Sequence, residues 1–131
     1  MANKIIDLNT DNDIHAIIAA VMEKAERKRR EIAMTFLQQV SVVNPVDTGR
    51  LRVAWTPSLN VPSDWVPDAG KYSFPDVAGK ANQAWGKSKY TDVIYITNNV
   101  PYAVMVDNGT VRMAPRRFVE RTITIVSNKY S

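Results

Sequence analysis

Three features of the sequence predict a mixed α and β fold: apolar residues at helical spacing from Ile14 to Val40, a β-branched stretch from Thr91 to Thr97, and a segment rich in Pro and Gly between them. The first reads as one long amphipathic helix and the second as a strand of a sheet. The third is incompatible with a long helix and reads as short strands plus a loop or arm.

The chain has 131 residues, with 45% apolar and 23% charged, the balance of a globular protein rather than a disordered one. Nothing in it separates two globular halves, so residues 1–131 read as a single domain with 56–90 as a variable loop or arm. No apolar run approaches the ~18 residues of a membrane span, and Met1-Ala2-Asn3-Lys4 does not open a secretory signal, so folding in a cytoplasm is expected. The absence of Cys removes disulfides, thiolate metal sites and Cys nucleophiles together. A formal charge of +4 favours anionic partners but falls short of a dedicated nucleic-acid binder.

The first helix starts after Asp11-Asn12-Asp13, whose side chains suit an N-cap. Ile14, Ile17, Ile18, Val21, Met22 and Ala25 follow at steps of three and four, and the pattern resumes at Ile32, Phe36, Leu37 and Val40. One helix of about 28 residues, roughly 42 Å long, accounts for both runs. Its middle turn sets Lys24, Arg27, Lys28, Arg29 and Arg30 among Glu23, Glu26 and Glu31. The simpler reading of that turn is a solvated face with pairs four apart, Glu23 with Arg27 and Glu26 with Arg30. The functional one is a surface for acidic protein or DNA.

Pro45 ends this helix, and a short one restarts behind it. With Asp47 as N-cap, Val46 and Leu51 take the two positions of a hydrophobic staple, and Leu51, Ala54 and Trp55 share a face. Residues 56–90 hold four prolines, three of the five glycines and the aromatics Trp65, Tyr72, Phe74 and Trp85. For Trp65 and Trp85, a buried loop anchor and an intersubunit hot spot both fit. Thr91–Thr97 is apolar on both faces and is expected to lie centrally in a sheet. From Val100 to Thr110, Asn108-Gly109 signals either a hairpin turn or the end of a two-turn helix that starts near Pro101 and sets Tyr102, Met105 and Val106 on one face. Pro115 can open a last helix with the stripe Val119, Ile123, Val126 and Tyr130, although Thr122–Val126 also alternates like a strand.

No catalytic constellation is visible. His15 is the sole histidine and lies in an apolar helical run, where a neutral core or boundary imidazole is expected. The carboxylates are scattered or sit at cap positions, Asp11 and Asp13 lack the glycine of a calcium loop, and the isolated glycines form no phosphate cradle. No enzyme activity, cofactor or metal is expected.

Three segments carry a resemblance: Pro45-Val46-Asp47-Thr48-Gly49-Arg50-Leu51-Arg52 with Trp55; Asn98-Asn99-Val100-Pro101-Tyr102-Ala103 leading to Asp107-Asn108-Gly109-Thr110; and Ala114-Pro115-Arg116-Arg117-Phe118-Val119. In order and spacing they resemble the tail-completion or head-to-tail connector (neck) proteins of long-tailed bacteriophages. Residues 56–90 match poorly, and Asp107 stands where that family more often has a glutamate. The resemblance implies an α+β fold with the long helix packed on a small antiparallel sheet, and it favours helix for Pro101–Asn108. It further implies a structural virion protein, assembled in a bacterial cytoplasm, that forms a homo-oligomeric ring at the neck and helps join head and tail around the DNA conduit. The implied partners are copies of itself and neighbours such as the tail terminator, head-completion and tail tube proteins, with nonspecific proximity to DNA and no membrane.

Under this reading Asp47 is a cap, Thr48 part of the same motif, Gly49 a point of close backbone approach and Trp55 a core residue. Tyr102, Gly109, Thr110 and Phe118 complete the motif, while Arg50, Arg52, Arg116 and Arg117 are interface candidates. Arg50→Glu is expected to abolish assembly and leave the monomer folded. The alternative is a small basic nucleic-acid-binding module that sets the Arg27–Arg30 face against phosphates.

Overall fold

The helical periodicity at the amino end is realised as α1 (Asp11–Val43), 33 residues and so about 50 Å long, in a computed structural model that describes residues 11–43, 49–109 and 116–131. After it come α2 (Arg50–Val53), β1 (Thr56–Leu59), α3 (Val77–Trp85), β2 (Ile94–Thr97), α4 (Ala103–Asn108) and α5 (Phe118–Lys129). The fold is α+β: a long helix, a two-stranded antiparallel sheet and several short helices. The expectations for Pro45, Val46, Asp47, Thr48, Thr110 and Pro115 fall outside the described residues.

Only the later part of α1 enters the core. Leu37 and Val40 are buried, and Ala33, Met34 and Phe36 pack beside them against residues of α2, α3, α5 and the loops. Two hydroxyls lie in this helix among apolar neighbours, Thr35 and Ser41, and each is satisfied by the carbonyl four residues back, at 3.0 and 2.8 Å. Thr35 also meets the Tyr130 hydroxyl at 2.9 Å, which fastens the end of α5 to the middle of α1.

Among the described residues, the strand expected to be central lies in a sheet of two. Among the described residues β2 pairs only with β1, in the register Thr56↔Thr97 to Leu59↔Ile94. Its apolar side chains are used on the core side: Ile94 and Ile96 are partly buried against the core cluster and border an apolar groove with Ile32, Ala33 and Phe36 of α1. Beyond the sheet, Asn60 adopts a left-handed conformation (φ 65°). Its amide bonds Val93 and Asp92, and Asp92 in turn accepts from the Lys89 backbone N–H at 2.8 Å. That backbone hydrogen bond, with the one from Asn60, holds the Asp92 carboxyl below the usual aspartate range.

Within 56–90 the structure contains a helix that the Pro and Gly content obscures. Asp76 accepts from the Gly79 N–H at 3.0 Å as the N-cap of α3, and Val77, Ala81 and Trp85 recur at steps of four on its buried face. Trp85 is only 2% exposed and its indole N–H donates to the Ser58 carbonyl at 3.0 Å, so it is the buried anchor rather than an intersubunit contact. Trp65 is 44% exposed.

The segment after Pro101 is helical over Ala103–Asn108, and Gly109, with a φ of 80° and an N–H bond to the Met105 carbonyl (2.8 Å), closes α4. Met105 is exposed, whereas Tyr102 and Val106 pack against the core and Ala103 lies in it. The last element is helical too, but its buried face is Phe118, Thr122 and Val126, with Ile123 exposed, a correction to the expected stripe. Thr122 is tolerated inside because its hydroxyl donates to the Phe118 carbonyl at 2.7 Å.

Candidate functional site

The three segments singled out above meet in space. Leu51, Ala54 and Trp55 from the first, Val100 and Ala103 from the second, and Phe118 from the third belong to one buried cluster. Trp55 and Phe118 pack edge to face with ring centroids 5.9 Å apart. The Asn98 amide donates to the Leu51 carbonyl at 2.8 Å and accepts from the Val100 N–H, so it locks the second segment onto the first.

Gly49 opens the junction at φ 82°, and its carbonyl accepts from the Val53 N–H at 2.9 Å. A Cβ there would overlap the carbonyl oxygen of Tyr72. The left-handed backbone alone costs a residue with a side chain about 1–2 kcal/mol. Gly49→Ala is therefore expected to lower the stability by at least that amount in urea denaturation; an unchanged midpoint would contradict the described close approach.

The arginines divide into two groups. Arg50 turns inward, its Nε donating to the Pro67 carbonyl at 2.9 Å and its guanidinium lying 5.9 Å from the Tyr102 ring. Arg52 stacks on Phe74 at 4.6 Å, with its Nε buried and without a hydrogen-bond partner. A charge reversal at Arg50 would thus act inside the subunit, on the tie to 60–76, as well as on any neighbour. Arg116 and Arg117 are exposed and, with Arg121, border a concavity of about 630 Å³ that also touches Glu120, Thr124 and Ile125.

Two residues to which the sequence assigned no role, Lys80 and the motif residue Asp107, hold this region together. Lys80 donates to the carbonyls of Val53 and Trp55 at 3.0 and 3.1 Å, closing the end of α2, and burial pulls its ammonium below the usual lysine range. Asp107 caps α5 from outside: its carboxylate accepts from the Val119 N–H at 3.3 Å and its carbonyl from the Arg117 N–H at 3.0 Å. Arg117, the residue at the cap position, makes no side-chain cap of its own. Asp107→Ala should cost about 1 kcal/mol, read as a lower denaturation midpoint, and no loss would remove Asp107 from the role of cap. A carboxylate twelve residues from the amide it caps leaves no local sequence signal.

The basic turn of α1 faces inward more than expected. Glu26, 4% exposed, pairs with Arg29 rather than Arg30, at 2.8 Å, and accepts from the Ser88 hydroxyl at 2.7 Å. Burial pushes its carboxyl upward, but the hydrogen bonds from Arg29 and Ser88 and the charges of Arg29 and Arg30 outweigh this and hold it below the usual range. Arg29 also donates to the carbonyls of Asp92 and Lys89, and Arg30 to that of Gly86. Lys28 pairs with Glu31 and lies 5.0 Å from the Tyr130 ring.

The amino-terminal half of α1 stands outside the core. Ile18 and Val21 are 44% and 62% exposed, and His15, expected at a core or boundary position, is exposed beside a groove of about 420 Å³ formed with Ser88, Lys89 and Tyr90. Among the described residues, no three of His, Cys, Asp and Glu converge as metal ligands, and no helix is long and apolar enough to cross a membrane. Comparisons with family models, curated proteins and solved structures gave no match to this chain.

Proposed function

We propose that this chain is a non-enzymatic structural subunit of the neck or tail-completion region of a tailed bacteriophage, assembling as a ring that helps join head to tail and line or seal the DNA conduit. The single observation that carries the reading is the meeting of the three resembling segments in one core, with Trp55 against Phe118 and Asn98 bonded to Leu51. A motif whose residues face each other across the fold is a device for shaping a subunit. A catalytic motif would instead converge on an accessible cleft with titratable groups. The inward engagement of Arg29 and Arg30 weighs against the nucleic-acid alternative, because only part of the Arg27–Arg30 group remains for phosphates.

Deletion of the coding sequence from the parent virus tests this reading by electron microscopy of lysates. Unjoined heads and tails, or tails lacking their head-proximal end, are the expected outcome, with joined particles restored by supplying the chain in trans. Normal yields of joined, infectious particles from the deletion would overturn it.

A further inference from the structure

Two surfaces of this chain are complementary to each other and are not in contact within it. On one, Arg116, Arg117 and Arg121 surround the concavity at the start of α5, with Glu120 as the acid among its described lining residues and the Asp107 carboxylate on the Val119 N–H nearby. The Arg117 to Glu120 pair, at 3.2 Å, is exposed on both sides and neutralises little in water. Arg117 is also held in the left-handed region (φ 49°, ψ 40°), a conformation that Gly or Asn adopts far more readily. The exposed Ile123 and Ile125 lie along the same helix.

On the other surface, the segment between β1 and α3 displays Asp64 and Asp68, both exposed and neither in an ion pair among the described residues, with the exposed Trp65 and Val66 between them. This arm is fixed on its own body. Arg50 holds the Pro67 carbonyl, and Asn99 donates to the carbonyls of Ser63 and Trp65 at 2.6 and 3.2 Å. It is therefore preorganised and presents its acids and its indole without a further ordering cost. Among the described residues, no hydrogen bond, ion pair or ring contact joins the arm to Arg116, Arg117 or Arg121 of the same chain.

We infer that Arg116, Arg117 and Arg121 of one subunit receive Asp64 and Asp68, with Trp65 between them, from the arm of the next copy. The inference rests on the structural-subunit reading above and names its self-contact. Guanidinium forks suit carboxylates bidentately, and Ile125 supplies an apolar seat beside them. A carboxylate within the patch and apolar residues at its border suit a protein surface with mixed chemistry better than a continuous polyanion. Because the two surfaces differ, the contact is head to tail, the kind that closes into a ring when its rotation permits.

Sedimentation velocity of the purified full chain at about 0.05 M and about 0.5 M salt tests the contact. The wild type should associate at low salt and less so at high salt. The pair R116E and R121E, and separately the pair D64R and D68R, should each weaken association by about tenfold or more, and the chain carrying all four reversals should regain it. Association unaffected by either pair overturns the contact while the ring reading stands, and a wild type monomeric in both salts overturns the contact and the ring together. If the wild type retards short duplex DNA, and the arginine reversals abolish that without changing association, the patch is a phosphate surface and the contact is overturned. Should a reversed variant lose its circular dichroism signal, the salt dependence of the wild type decides, with salt-insensitive association counting against the contact.

Discussion

Trp55→Ala is expected to destabilise the chain by about 3–5 kcal/mol, the range for removing a buried large aromatic side chain. Trp55 stands where the three segments meet, in edge contact with Phe118 and within the cluster formed by Leu51, Val100 and Ala103. A domain of this size has roughly 5–15 kcal/mol in total, so the variant should unfold in little urea or be partly unfolded without it. Trp55→Phe keeps a ring and should recover most of the loss. A double-mutant cycle with Phe118→Leu should return a coupling of about 0.5–1.5 kcal/mol for the ring pair. A loss below about 1 kcal/mol for Trp55→Ala, outside the range for an emptied aromatic site, would show that the segments do not share a core.

Glu26→Ala should have the next largest effect, about 3 kcal/mol, at the lower end of the range for breaking a buried pair. The lower end applies because Arg29 is 37% exposed and can rehydrate once its partner is gone. The loss extends beyond the pair. Arg29 is the group that bonds the Asp92 and Lys89 carbonyls, so losing its anchor should also loosen residues 86–92 from α1. The pH dependence has a definite sign. The folded Glu26 carboxyl titrates below its usual value of about 4.5, so its contribution is complete above that value and is lost as pH falls through the folded pKa. The stability gap between wild type and Glu26→Gln should therefore be constant between about pH 5 and 8 and shrink on further acidification. A gap that stays constant or widens in acid would contradict the charged network.

What the sequence disclosed followed from how local each signal is. The long helix was legible because Ile14 to Val40 repeats at three and four residues, whereas Asn108-Gly109 fitted a hairpin turn or a helix end equally and only the resemblance favoured the helix that α4 forms. α3 was hidden by its Pro- and Gly-rich surroundings, although Asp76 followed by Val77, Ala81 and Trp85 spells a cap and a buried face. A central place for β2 was expected from apolar residues on both faces, but among the described residues it pairs with β1 alone, and packing of Ile94 and Ile96 against the core accounts for part of that apolar character.

At the candidate site, the shared buried face of Leu51, Ala54 and Trp55 agreed with the expectation from their spacing, whereas Phe118, expected only as a motif residue, packs in the core beside them. The inward turn of Arg50, Arg29 and Arg30 was illegible. Their acceptors are backbone carbonyls of Pro67, Asp92, Lys89 and Gly86, and every residue type carries a carbonyl. The same limit hid Lys80 and the capping role of Asp107, whose partners lie far along the chain or belong to the backbone. Groups bonded within the subunit left fewer arginines for neighbours, and exposure then separated Arg116 and Arg117 from Arg50.

Cryo-electron microscopy of the intact virion bears most directly on the idea that this small domain is a joint between larger viral parts. Density matching α1 against α5, with the tryptophan and phenylalanine rings meeting edge to face, should repeat around the axis where capsid and tail abut. A complete neck built wholly from other polypeptides, with this one absent from the particle, would refute the assignment.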